Sequence, residues 1–154
     1  MPRQVRLILD TMVMTAITSA VSGNRGKIAL SAYNKILRKA HTVIVSKRLL
    51  NQYESKMSEE GVPTEYMLSF LQQQLEATNQ LKKVSDNQAN KNCVRVKLPS
   101  EDIFLAQIAL TADPDNYDVY IVSDERAIYT ADAKLNKEHK IRAMSTSDYS
   151  AKYC

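Results

Sequence analysis

Apolar and polar positions follow two regimes along this 154-residue chain. Short unbroken apolar runs read as buried strands, and stretches with apolar residues three and four apart read as helices. The first run, Val5 to Leu9, is interrupted only by Arg6. Val13, Ala16, Ile17 and Ala20 then predict a helix over about Met12 to Ala20, and Ser22 to Gly26 a turn. A second helix is expected from Lys27 to Ala40, with Ile28, Ala32, Ile36 and Leu37 facing inward. His41 to Ser46 reads as another buried strand. Ser46 is suited to cap a helix from Lys47 to Glu59, which Gly61 ends. Thr64 opens a further helix with the stripe Met67, Leu68, Leu71 and Leu75. Leu81 to Val84 reads as a short strand and Ser85 to Asn92 as a polar loop. Val94, Val96 and Leu98 alternate with Arg95 and Lys97, the pattern of an exposed or edge segment. Pro99 and Ser100 introduce a helix over about Glu101 to Thr111. Val119 to Ser123 is the clearest later strand, a mixed polar helix follows it, and Ile141 to Ser145 is the last strand.

This alternation predicts a three-layer α/β/α architecture, a single domain over residues 1–154 with a central, mainly parallel sheet. Composition changes the picture little: 44% hydrophobic and 25% charged residues are ordinary for a globular protein. No apolar run is long enough to span a membrane, and the N-terminus lacks the apolar core of a secretory leader. Cys93 and Cys154 stand alone, outside any Cys/His cluster, which points to a reducing cytoplasm and away from structural zinc. A net charge of +4 permits a polyanionic partner without requiring one.

In open parallel sheets, ligands bind beyond the carboxyl ends of the strands, which gives a rule for selecting acids. Asp10 ends the first strand and Asp124 follows "VYIVS". Asp102 sits in the first turn of its helix, and Glu54 shares a helical face with Leu50 and Met57. Each has a plain structural role open to it. Asp10 and Asp102 can cap helices, Asp124 can open a turn, and Glu54 can pair with Lys47, Arg48 or Lys56. Four carboxylates converging on one edge repel one another unless a cation joins them. Oxygen-only ligation without a His or Cys cluster suits Mg²⁺ or Mn²⁺, which can drive phosphodiester hydrolysis. His41 and His139 stand far apart, without a nearby nucleophile, and no GxGxxG or GxxxxGK[ST] occurs.

In these residues the chain resembles the PIN-domain nucleases, and most closely their small, toxin-like members. "LILDTMVM" is similar to that family's opening block, and "VIVSKRLLNQYESKM" to its second, with Glu54 as the acid. "PSEDIFLAQIAL" is similar to the third, with Asp102, and "YDVYIVSDERAI" to the fourth, with Asp124. The resemblance implies a metal-dependent endoribonuclease whose Asp10, Glu54, Asp102 and Asp124 hold Mg²⁺ or Mn²⁺. It implies supporting roles for Thr11 and Ser123, and phosphate contacts from Arg25, Lys27, Lys47, Arg48 and Arg126. It further implies RNA as substrate, a homodimer, and an antitoxin protein as partner. Two positions depart from the family pattern: Met12 stands where an Asn is usual, and Ala127 where a further acid often follows. Met12 is the best support for the alternative, a PIN-like scaffold that binds RNA or protein without cutting. A phosphoryl-accepting receiver domain also places an acid after its first strand, but "MPRQV" lacks the acids that such a domain carries before it.

Overall fold

The structure is a computed structural model that describes residues 3–21, 26–59, 61 and 64–153, the side chains of 64–67 excepted. Five strands, β1 (Val5–Leu9), β2 (Thr42–Val45), β3 (Leu81–Lys83), β4 (Asp118–Val122) and β5 (Ile141–Met144), form one sheet in the order β3-β2-β1-β4-β5. Every pairing is parallel. The apolar runs explain this. Leu7, Ile8, Val43, Ile44, Val45, Ile121 and Val122 are almost wholly buried, as strands covered on both faces must be.

Among the described residues the helices are α1 (Thr11–Val21), α2 (Lys27–Lys39), α3 (Lys47–Glu59), α4 (Thr64–Ala77), α5 (Asp86–Asn90), α6 (Ile103–Thr111), α7 (Arg126–Tyr129), α8 (Asp132–His139) and α9 (Thr146–Lys152). They make the two outer layers of an α/β/α fold. α1 packs on α2, α3 and α4, and α2 on α9; α6 lies across β1, β2, β4 and β5 and packs on α5. α6 is apolar nearly all round, with Phe104, Leu105, Ala106, Ile108 and Ala109 buried, as befits a helix enclosed by sheet and neighbours. Among the described residues no helix is long and apolar enough to cross a membrane.

Several local expectations change in the folded chain. The buried stripe of α2 is Ala29, Ala32, Tyr33 and Ile36, which leaves Ile28 in solvent; in α1, Ala16 is likewise exposed. The polar stretch after Ser85 forms α5 rather than a loop. The Ser85 hydroxyl accepts from the Gln88 amide at 3.4 Å, and Ala89 supplies a fully buried anchor. Residues 94–98 form no strand. Val96 and Leu98 turn inward, and the Arg95 amide donates to His139 Nε2 at 2.9 Å instead of to a neighbouring strand. The polar segment after β4 breaks into α7 and α8, and α9 follows β5. The turn from Ser22 to Arg25 and the Met67 side chain lie outside the described residues, whereas Leu68, Leu71 and Leu75 are buried as the stripe predicts.

Candidate functional site

The sheet order reverses at β1: the chain moves to β2 and β3 on one side, then to β4 and β5 on the other. The crevice beyond the carboxyl ends of β1 and β4 is therefore the topological switch point of the sheet, where open α/β folds bind ligands. β1 and β4 pair from Val5↔Asp118 to Leu9↔Val122, and the next amide, that of Asp10, donates to the Val122 carbonyl at 3.0 Å. This register sets Asp10 beside Ser123. The Ser123 hydroxyl donates to Asp10 Oδ2 at 2.6 Å, and the Thr11 amide donates to Oδ1 at 2.6 Å. Asp10 is thus a nearly buried carboxylate held at both oxygens. Of the two supporting residues, Ser123 acts through its hydroxyl and Thr11 through its backbone.

Asp10 lines a cleft of about 680 Å³ whose other walls are α3, the start of α5, and the turns before α6 and α7. Asp102 shares this cleft with Glu101 and Glu125. Asp102 occupies the N-cap position of α6 but makes no capping hydrogen bond, so its carboxylate is not spent on the helix. Burial, with the charges of Asp10, Glu101 and Glu125, pushes its carboxyl up to about 6. α3 adds Lys47, Arg48 and Lys56, the last 3.6 Å from Glu59 in the same cleft, with the amides Asn51 and Gln52. The Arg48 guanidinium lies 4.1 Å over the Phe104 ring, and Asp86 Oδ2 accepts from the Arg48 amide at 3.0 Å. The result is a groove whose lining combines carboxylates with the cations of α3.

Two of the four sequence-selected acids belong to this cleft and two do not. Glu54 is exposed on another face of α3. The buried stripe of α3 is Leu49, Tyr53 and Met57, and a helix turns about 100° per residue, so Gln52 faces the cleft while Glu54 lies about 200° further round. Asp124 is exposed, lies outside the cleft lining and is turned to α9: its Oδ1 accepts from the Thr146 amide at 2.8 Å and its Oδ2 from the Thr146 hydroxyl at 3.0 Å. The extended chain beyond β4 alternates sides, so Ser123 and Glu125 turn to the cleft and Asp124 away from it. That alternation was the available signal for Glu125; for Gln52 it was the Leu49–Tyr53–Met57 spacing. Glu101 and Asp86 carried no such signal. Lys47 and Arg48 line the cleft, Arg126 does not, Lys27 lies against a separate shallow groove on α2, and Arg25 is outside the described residues.

Among the described residues no three His, Cys, Asp or Glu side chains stand close enough together to hold a metal ion. A preformed cage is therefore absent from that part of the chain. The donor chemistry still fits Mg²⁺ or Mn²⁺ arriving with a phosphate, because Mg²⁺ commonly uses one or two carboxylates, several waters and substrate phosphate oxygens. Asp10 and Asp102 supply such a pair, and the crowding that raises Asp102 is what a divalent charge relieves. His41 and His139 take no part. His41 Nδ1 bonds the Tyr149 hydroxyl at 2.6 Å, and His139 accepts from Arg95. Comparison with protein-family models and with curated proteins gives no match for this chain.

Proposed function

We propose that the cleft is the active site of a metal-dependent endoribonuclease. The observation that carries this reading is the meeting, at the sheet's switch point, of a rigidly held Asp10 and a charge-crowded Asp102 that makes no capping bond, in one cleft with Lys47, Arg48 and Lys56. The resemblance to PIN-domain nucleases at Asp10 and Asp102 supports it, although Glu54 and Asp124 leave the ligand set and Glu125 and Gln52 face the cleft in their stead. Asp10 and Asp102 hold the cation, and Glu125 lines the same cleft. When bound, Mg²⁺ or Mn²⁺ supplies the positive charge that stabilises a phosphodiester as it is hydrolysed. Lys47, Arg48 and Lys56 hold the flanking phosphates, and Asn51 and Gln52 offer neutral hydrogen bonds to the sugar or base edges. Ser123 and Thr11 keep Asp10 in place while the strand binds.

The test is incubation of the protein with single-stranded RNA and Mn²⁺. Cleavage is expected to stop with EDTA and to fall at least about a hundredfold in Asp10→Asn, a loss on the scale of removing one key electrostatic group. Mn²⁺ at a hundredfold excess over its Kd should also stabilise the wild-type fold by about 2.7 kcal/mol, read as a rise in Tm, and should leave Asp10→Asn unshifted. A second reading, a module that binds RNA without cutting it, is favoured by the lack of a three-acid group among the described residues. It predicts RNA retention with neither cleavage nor a Mn²⁺-induced rise in Tm.

A further inference from the structure

A second concavity lies at the other end of the sheet, around Val5, Thr42 and Leu81, where β1, β2 and β3 begin. The five residues of β1 separate it from Asp10, about 16 Å at 3.3 Å per residue. Its volume is about 820 Å³, and its charged lining is wholly cationic: Arg3, Arg6, Lys39, Lys82 and Lys152. The two arginines have structural duties. Arg3 pairs with Asp118 at 3.4 Å and donates to the Pro114 and Tyr117 carbonyls. Arg6 donates to the Ala112 carbonyl and lies 3.5 Å over the Tyr117 ring.

Of the three lysines, Lys152 lies 5.6 Å from the Tyr120 ring and 5.9 Å from the Tyr153 ring, while Lys39 and Lys82 make no such contact among the described residues. All are exposed, and among the described residues none is paired with a carboxylate. They come from three separate elements, the end of α2, β3 and the end of α9, so only the fold brings them together. Chains do not gather unpaired cations around a concavity without cost, because like charges at close range repel. The rings of His41 and Tyr153 add an aromatic wall. The hollow is far larger than one phosphate, and its size matches sites that enclose a ligand of nucleotide dimensions.

We propose that this basic hollow binds a ligand carrying closely spaced phosphates, either a free nucleotide or a strand of RNA, at a site separate from the acidic cleft. Lys39, Lys82 and Lys152 meet the phosphates. Arg3 and Arg6 add their field while staying in their structural contacts, and Tyr153 offers a face for a base. The inference does not depend on the cleft being catalytic.

The experiment uses the full chain in EDTA, so that metal-dependent chemistry is silent. A labelled twelve-nucleotide oligouridylate is followed by fluorescence anisotropy, and inorganic pyrophosphate by calorimetry, at 50 and 200 mM salt. The triple variant Lys39→Ala/Lys82→Ala/Lys152→Ala should lose affinity about tenfold or more at low salt. For the RNA, the slope of log affinity against log salt should shrink by about 2, at roughly 0.7 per phosphate contact. Lys91→Ala/Lys134→Ala/Lys137→Ala removes equal charge outside the hollow, and it should bind as wild type. Pyrophosphate binding without RNA binding assigns the site to a free nucleotide; RNA binding that pyrophosphate displaces assigns it to a strand. Equal losses in the two triple variants, or no binding of either probe to the wild type, overturn the proposal. Far-UV circular dichroism of each variant confirms that these exposed substitutions leave the fold intact.

Discussion

Asp10 owes its position to two donors, the Thr11 amide and the Ser123 hydroxyl, each 2.6 Å from one of its oxygens. Because Asp10 is buried, removing a donor leaves an acceptor without its partner, which costs more than a surface contact would. Ser123→Ala is expected to lower unfolding free energy by about 2 kcal/mol, as for a hydrogen bond to a charged group. Urea titration at pH 7 checks this, and a loss below about 0.5 kcal/mol would mean that water replaces the hydroxyl at no cost. His41 gives a pH dependence. Burial, helped by the Lys39 charge, lowers its pKa from 6.5 to about 4, so the unfolded chain binds the proton more tightly than the folded one. Its contribution to stability is therefore whole above pH 6.5 and is lost as pH falls from 6.5 towards 4. Asp102, raised to about 6, works in the opposite sense over most of that window, so the His41 contribution is read as a difference: from pH 6.5 to 4 the urea midpoint of the wild type should fall relative to that of His41→Phe. At this scale the chain was partly legible. Asp10 and Asp102 were readable from their places after a strand and before a helix. Glu54 and Asp124 fall outside the cleft because two helical steps or one strand step carry a side chain to the other side of its element.

α3 shows how an element is set from both ends. Ser46 caps it, accepting from the Leu49 amide at 3.2 Å, as its place before the helix predicts. Tyr53, wholly buried, donates its hydroxyl to the Leu9 carbonyl at 2.5 Å and so ties the middle of α3 to the end of β1. This tether fixes the rotation of the helix and brings Arg48, Gln52 and Ser55 to the cleft. Tyr53→Phe keeps the packing volume and removes the tether. It should cost about 1–2 kcal/mol in urea unfolding, with cleft binding weakened more than the fold itself. Elements with a strong apolar period were readable, as the stripe of α4 shows at Leu68, Leu71 and Leu75. α5 and α9 were not. Each is short and polar, and each is held by a serine cap and one or two anchors, Ala89 in α5 and Thr146 with Tyr149 in α9. Their stability comes from packing against neighbours, which leaves little period in the sequence.

At the scale of the whole molecule, the linings of the two concavities differ in charge along the strand direction. Acids dominate the end where β1 and β4 finish, and unpaired lysines the end where β1, β2 and β3 begin. The overall charge of +4 hides this division, since a sum carries no position. The α/β class with a parallel sheet was legible because buried strands and amphipathic helices leave distinct periods, and short connections restrict how they assemble. The amino-acid pattern alone thus determined the five strands, the longer helices between them and the strand-end position of Asp10. Tertiary structure alone decided the rest. It set the β1–β4 register that seats Ser123 on Asp10, the rotation of α3 that turns Gln52 rather than Glu54 inward, and the meeting of Lys39, Lys82 and Lys152. The physical reason is that periodicity reports which face of an element avoids water. Which groups meet across elements depends on hydrogen-bond register and packing between segments far apart in the chain, and no local pattern encodes those.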